Sequence, residues 1–229
     1  MKLAIMQPYL FPYLGYFQLI RAVDAFVVYD DVNYINRGWI NRNNILAQGR
    51  AQLVTLVTDG ASQNKQICEI SVGGNPAKLL KTFQHSYGKT PQFEKVFPLV
   101  EDILVHKENN LARFLDYQLQ QICSYLDLSP KWYISSALKK DNQLRGQEKV
   151  LAICEELGAT HYINMTGGKA LYEKEVFSKR GLQLSFLDPR AVEYPQSGNE
   201  FVPNLSIIDV MMFNDKAQCA KLLEEYELG

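Results

Sequence analysis

Residues 1–31, MKLAIMQPYLFPYLGYFQLIRAVDAFVVYDD, decide the fold. KLAIM at 2–6 has the length and apolar character of a buried strand. Pro8 and Pro12 fix φ along the next stretch, which reads as a rigid connection. Residues 13–21 carry apolar side chains at helical spacing, and residues 26–29, FVVY, form a second strand that ends on Asp30 and Asp31. Strand, loop, helix and strand in roughly thirty residues is the size of a βαβ unit, which requires a parallel pair and a right-handed crossover.

Outward from this unit, residues 52–57 and 66–72 look extended and are separated by the polar DGASQNK turn, a pattern for a hairpin or a sheet edge. Residues 76–126 turn helical, with Leu111, Phe114, Leu115, Leu119, Ile122 and Leu126 on one face. After Pro130, KWYISSAL predicts a strand and a turn. Residues 147–157 predict a helix with Val150, Leu151, Cys154 and Leu157 inward, ended by Gly158. HYINM predicts a strand and TGGKALYEKEVFSKRG a loop and helix, and Leu182, Leu184 and Phe186 alternate as in a half-buried strand. The expected class is α/β: a mostly parallel, open, Rossmann-like sheet with a helical insertion. Residues 1–229 read as one domain, with a helical subdomain at 76–128. Internal repeats, low-complexity tracts and linkers are not evident.

At 229 residues and 47% hydrophobic, the chain can bury a large core. Its 24 Lys plus Arg balance 25 Asp plus Glu, so no bulk basic field favours DNA or RNA as a partner. Cys68, Cys123, Cys154 and Cys219 lie far apart, without a CxxC pair or a histidine at ligand spacing. They signal neither a zinc site nor a disulfide framework, and read as small buried hydrophobes in a reducing cytosol. His85, His106 and His161 read as surface or core residues. The N-terminus lacks the apolar run of about 7–15 residues that a secretory signal needs. No segment reaches the ~18 apolar residues of a spanning helix, so the expectation is a cytoplasmic protein with no transmembrane segment.

In an open parallel sheet, ligands bind outside the carboxyl ends of the strands. QPYLFPYLGY and DDVNYINRGW would emerge on that edge and line one cleft, bringing Gln7, Tyr9, Tyr13 and Gly15 opposite Asp31, Tyr34 and Trp39. Successive strand side chains point to opposite faces, so one of Asp30 and Asp31 faces the cleft. Asp31 is the candidate, as general base or as a ligand for an amine or Mg²⁺; two solvated acids at a strand end is the structural alternative. Asn41, Arg42 and Asn43 set a planar fork of donors between amides beside an aromatic face, which suits phosphate, carboxylate or sugar. Alternatively, Trp39 is core and Arg42 a surface ion-pair partner. INMTGGKALY at 163–172 offers Gly167 and Gly168 as close-approach backbone, with Tyr172 behind them, although it lacks P-loop spacing. EYPQSGNEFVPNLSIID at 193–209 concentrates Tyr194, Gln196, Asn204, Ser206 and Asp209, with Ser206 and Asp209 at capping-box spacing and Asp in place of the usual Glu.

MQPYLFPYLGYFQLI, DDVNYINRGWINRNNI, YINMTGGKALY and the PNLSIIDVMMFN run resemble the WbqC-like family, and the resemblance extends through nearly the whole chain. Members are associated with bacterial O-antigen and other surface-polysaccharide clusters and are described as glycine or aminoacyl transferases. The resemblance implies a cytoplasmic enzyme that transfers an acyl or aminoacyl group to an amino sugar, carried on a nucleotide or another carrier. An acyl carrier or acyl-tRNA would be the activated donor, with ATP or Mg²⁺ a lesser expectation. The family motifs fall on Gln7, Tyr9, Tyr13, Gly15, Asp31, Tyr34, Trp39, Asn41, Arg42, Asn43, Gly167, Gly168, Tyr172, Gln196 and Asp209. Of these, Asp31, Asn41 and Arg42 are the candidates for catalysis and the rest for substrate binding; no metal ligands are assigned. The chain departs from the pattern at MMFND, where a glycine is expected after the Asn.

The leading mechanism is direct aminolysis, with the proton passing to an Asp or to water and amides stabilising the oxyanion. Two alternatives stand beside it. The opening is similar in organisation to pantothenate synthetase and the nucleotidylyltransferases, which adenylate a carboxylate, but their HxGH signature is absent. A non-catalytic sugar-precursor-binding protein would use the same aromatic pocket. If Asp31 and Arg42 are site residues, Asp31→Asn and Arg42→Lys should leave folding nearly intact.

Overall fold

The computed structural model describes residues 1–198 and 200–229. In chain order the elements are β1 (Lys2–Met6), α1 (Leu14–Arg21), β2 (Ala25–Val28), β3 (Arg42–Ala47), β4 (Arg50–Thr55), β5 (Thr58–Asp59) and β6 (Ser71–Val72). The helices α2 (Lys78–Tyr87), α3 (Phe93–Val105) and α4 (Leu111–Tyr125) follow. Then come β7 (Lys131–Ile134), α5 (Gly146–Glu156), β8 (His161–Met165), α6 (Lys174–Lys179), β9 (Gln183–Pro189), α7 (Ile207–Phe213), α8 (Lys216–Leu222) and β10 (Tyr226–Leu228).

The main sheet has the order β10-β9-β8-β1-β2-β7, parallel throughout except for β10, which runs antiparallel to β9. This is the α/β class with a mostly parallel sheet. β1 is central and buried on both faces. Leu3 and Ile5 pack with Ala25, Val27 and the α5 residues Val150, Leu151 and Cys154. Ala4, Phe26 and Val28 pack with Tyr16 and Phe17 of α1 and Phe114, Leu115 and Leu119 of α4. Burial on both faces explains why KLAIM and AFVV read as unbroken apolar runs rather than alternating ones. The insertion helices α2 to α4 join the same apolar cluster as α1 and the sheet.

The chain leaves β1 towards β2 and β7, then α5 carries it back across to β8 on the other side of β1. Right-handed crossovers in opposite directions put their helices on opposite faces, as α1 and α5 are. The reversal of strand order therefore lies between β1 and β8, the place where doubly wound sheets open a crevice.

Two expectations need correction. Residues 66–72 do not pair with 52–57. β4 pairs with β3 instead, in register Asn43↔Val54 and Ala47↔Arg50, and only Ser71–Val72 pairs with Thr58–Asp59. The cause is the two-residue turn Gln48-Gly49, in which both residues have positive φ, 51° and 72°. That geometry matches the twist of a tight hairpin, but Gln-Gly hides it because Asn-Gly is the usual signal. It also places Arg42 and Asn43 on a strand. Secondly, β9 is not half-buried, because Ser185 and Leu187 are covered as fully as Leu184 and Phe186; β9 lies between β8 and β10 with helices on both faces.

The strained Gln48 leads to a simple expectation. Gln48→Asn should stabilise the protein by roughly 0.5–1 kcal/mol, read as a higher urea midpoint at unchanged slope, because asparagine tolerates positive φ better than glutamine. A lower midpoint would mean that the turn is not set by its backbone.

Candidate functional site

The segment between β1 and α1 has no regular structure, yet its backbone polar groups are largely paired. Tyr16 Oη donates to Gln7 O at 2.9 Å. Gln118 of α4 donates through Nε2 to Tyr9 O at 3.0 Å and accepts the Phe11 N–H at Oε1, also at 3.0 Å. Asn43 Nδ2 donates to Leu10 O and Phe11 O at 3.1 and 2.8 Å. The Leu10 N–H reaches Ile40 O, and the Ile207 N–H reaches Pro12 O. This clamp holds Phe11 at φ 43°, a conformation that costs a non-glycine residue of order 1–3 kcal/mol. The Phe11 ring is itself buried, edge-on to Phe83.

Asn43 is thus a structural amide, and so is Asn41. Asn41 Oδ1 accepts the Tyr34 hydroxyl at 2.7 Å, and its Nδ2 donates to Leu56 O at 2.8 Å. Gln118 was not among the sequence candidates. Its signal was a polar side chain on the buried stripe of α4, three residues after Leu115 and one before Leu119.

What the clamped loop presents is a pair of adjacent cavities at the carboxyl rim. The smaller, about 300 Å³, is lined by Tyr9, Pro12, Tyr13, Trp39, Asn43 and Asn204. The larger, about 740 Å³, runs past Tyr13, Leu14 and Gly15 to Pro189, Arg190, Glu193, Tyr194, Phe201 and Asn204. Tyr13 and Asn204 belong to both. A Cβ on Gly15 would lie 2.5 Å from Tyr13 Cε2 and 3.0 Å from Pro189 Cγ, so glycine is what lets the Tyr13 ring fold over the start of α1. Burial pushes the Tyr9 phenol up, and burial with the Tyr9 neighbour takes Tyr13 to about 12; both are neutral hydrogen-bonding groups at physiological pH. Trp39 is not core, being 47% exposed. Arg42 braces its turn, donating to Gly38 O at 2.9 Å and to Arg37 O, with its guanidinium 6.0 Å from the Trp39 ring centre.

Behind the larger cavity sits a buried carboxyl. Tyr194 Oη donates to Asp209 Oδ2 at 2.8 Å, and Gln196 Nε2 donates to the same oxygen at 2.7 Å and to Tyr194 Oη at 3.2 Å. Gln196 is held in turn by Val202, through both its backbone N–H and its carbonyl. Asp209 is fully buried, and its Oδ1 has no partner among the described residues. Burial pushes its carboxyl up, against the pull of the hydrogen bonds from Tyr194 and Gln196. The capping-box expectation holds only in half: Ser206 Oγ accepts the Ile208 N–H at 3.2 Å, but the Ser206 N–H is taken by Asn44 O. Asp209 therefore turns inward instead of back to the helix start.

Asp31 lies outside both cavities. Its Oδ2 is 2.8 Å from Lys140 Nζ and 3.0 Å from Lys149 Nζ, with all three side chains at most 5% exposed, and Lys149 also donates to Asp31 O. Burial alone would raise the carboxyl, but hydrogen bonds from Lys140, Ser135 and Lys149 outweigh it and hold Asp31 below the usual range. Asp30 accepts the Ser136 N–H and hydroxyl at 2.9 and 2.6 Å. Both acids thus tie β2 to the segment after β7. Gly167 and Gly168 fall in a 3₁₀ turn, Thr166–Leu171, rather than at an α-helix start, and a Cβ on Gly168 would meet Asn164 Nδ2 at 2.9 Å. Tyr172 packs edge-on to Tyr162 and Phe177. Among the described residues, no three His, Cys, Asp or Glu side chains are grouped to hold a metal ion, and no helix is long and apolar enough to cross a membrane.

Removing the Asp31 charge leaves two buried ammonium groups on a neutral amide. Asp31→Asn should therefore cost about 3–5 kcal/mol in chemical denaturation, not the near-neutral effect expected of a site residue. A loss under 1 kcal/mol would show that the lysines reach solvent or another anion.

In comparison with known proteins, the chain is similar to "Uncharacterized protein Rv1507c" of Mycobacterium tuberculosis (strain ATCC 25618 / H37Rv), 27% identical over 227 residues, which is 97% of each chain. No solved structure matches it. The WbqC-like protein family matches residues 7–221, a span that takes in the clamped loop, both cavities and the Tyr194–Asp209 pair. The chain belongs to the WbqC-like protein family.

Proposed function

We propose that this protein is an acyl- or aminoacyltransferase acting in the cytoplasm, whose acceptor is an amino sugar carried on a nucleotide or another carrier and destined for a bacterial surface polysaccharide. The observation that supports this most is the placing of Tyr194, in hydrogen-bond contact with a buried carboxyl, in the wall of a cavity large enough for a sugar and an acyl group. The acceptor amine attacks the carbonyl carbon of a thioester or ester donor. The C–N bond forms, the C–S or C–O bond breaks, and the leaving group departs as thiolate or alkoxide and is then protonated. The amine proton passes to the Tyr194 oxygen while that hydroxyl gives its own proton to Asp209.

The elevated Asp209 carboxyl suits this role, because proton acceptors work best when their pKa approaches the working pH. Asp31 suits it less: two ammonium partners make it a weak base.

The direct test is the purified protein with a UDP- or dTDP-amino sugar and a panel of acyl thioesters and aminoacyl-tRNAs. The acceptor should gain the mass of the acyl group, and Tyr194→Phe and Asp209→Asn should each lower turnover by about 10²-fold or more while substrate binding persists. Failure of every donor to yield product would remove the transferase reading. Asp209 also leaves a signature in stability. Because its folded-state pKa is above the usual 3.8, the stability it allows is fully present below that pH and is lost as pH rises through the folded-state value. On raising the pH from 4, the wild type should lose stability relative to Asp209→Asn; parallel curves would mean that the carboxyl is not perturbed.

A further inference from the structure

The two adjacent cavities differ in chemistry. The larger carries Arg190 and Glu193 along its wall. None of the six residues that line the smaller one bears a charge: three are aromatic, one is proline and two are amides. A phosphate, carboxylate or ammonium placed there would lose hydration without a charged partner in the lining, the Arg42 guanidinium beyond Trp39 being engaged by Gly38 O and Arg37 O. The occupant must be neutral and must offer a flat face to Tyr9, Tyr13 and Trp39.

It must also make few hydrogen bonds. The Asn43 amide is spent on Leu10, Phe11 and Asn44. The groups left without protein partners, among the described residues, are the Tyr9 and Tyr13 hydroxyls, the Trp39 indole N–H and the Asn204 amide. A monosaccharide has a hydroxyl on most of its carbons and would leave several unmatched, whereas the edge of a heterocyclic base needs only a few donors and acceptors. The walls are set in advance. The loop bearing Tyr9 and Tyr13 is pinned by Gln118 and Asn43, Tyr13 is seated over Gly15, and the Trp39 turn is braced by Arg42. Trp39 nevertheless stays half exposed, an aromatic face that a stacked ring would cover.

We infer that the smaller cavity is a nucleobase subsite, in which a base stacks against Trp39 and Tyr13 while the rest of the ligand passes Tyr13 and Asn204 into the larger cavity. This rests on the reading of the adjacent cavities as the substrate site, and it narrows that reading: the acceptor sugar arrives on a nucleotide rather than on a lipid carrier.

The chain has two tryptophans, and Trp132 is stacked on Phe26 away from the cavity, so emission from Trp39 can report binding. The full chain is titrated with UMP, AMP, ribose 5-phosphate and glucosamine, by fluorescence and by calorimetry. At least one of the nucleotides should quench Trp39 emission, whereas ribose 5-phosphate should not. By calorimetry, Trp39→Ala should weaken that nucleotide at least about five-fold and Trp39→Phe less, with thermal midpoints near wild type because the ring is exposed. Equal binding by wild type and Trp39→Ala, quenching by ribose 5-phosphate as strong as by the nucleotide, or binding of neither nucleotide overturns the inference. Glucosamine binding without nucleotide binding removes the base subsite and leaves the transferase reading standing. Trp39-dependent nucleotide binding with no transfer from any donor does the reverse.

Discussion

The structure depends on two buried amides, Gln118 and Asn43, that hold the loop between β1 and α1. A loop that ends in a site has to expose side chains while hiding its own peptide groups. This one does so without regular structure, because carboxamides from α4 and β3 supply the donors and acceptor that a helix or sheet would otherwise supply. The clamp holds Phe11 in a left-handed conformation that it would not keep by itself. Tyr9 and Tyr13 are thereby left on the open side, with hydroxyls that have no partner among the described residues. Deleting either amide would leave buried peptide groups unpaired and the strained residue unsupported, so the geometry of the cavities and the packing of the insertion helices are one constraint.

Carboxylates illustrate how environment divides labour between identical groups. Asp31 and Asp209 are both buried, at 4% and 0% exposure. Asp31 meets two ammonium groups and is fixed as an anion that joins β2 to α5 and to the segment after β7. Among the described residues, the hydrogen bonds to Asp209 come from neutral groups, the Tyr194 phenol and the Gln196 amide, and burial pushes it the other way. Pairs of acids driven apart in this manner differ in how readily they hold a proton, one kept as a charge and the other pushed towards its neutral form.

Much of the fold could be read from the chain because β1, β2, β8 and α4 have cores that dictate their own patterns: unbroken apolar runs for strands covered on both faces, and a three-and-four stripe for the helix. Site roles were less legible. Gln7, Tyr9, Tyr13, Trp39 and Asn43 were recognisable as an unusual concentration of polar and aromatic residues, and Tyr9, Tyr13, Trp39 and Asn43 do meet around one cavity. Whether a given amide faces a ligand or the backbone is decided by tertiary contacts dozens of residues away. Asn41 and Asn43 are spent within the protein, and nothing local to Gln118 marks it as the partner of a loop more than a hundred residues away. Asp31 was singled out for its position at a strand end. The lysines that neutralise it come from residues 140 and 149, and no local pattern links them to residue 31.

The position of the cavities follows from the same packing. Strand order reverses between β1 and β8, and the usual crevice of such a sheet opens there. On the β8 side, the Thr166–Leu171 turn lies close over Asn164, and Tyr172 packs onto Tyr162 and Phe177. Room remains on the α1 side, between the start of that helix, the carboxyl end of β9 and the run that leads into α7. The residues that border it, Tyr13, Gly15, Tyr194 and Asn204, come from segments that β1, β9 and α7 deliver to one rim. A left-handed Phe11 before Pro12 and a left-handed Asn204 after Pro203 turn the two chain segments towards each other, where Tyr13 and Ser206 bridge and the Ile207 N–H closes on Pro12 O. The groove is thus the gap left beside a short β-bridge.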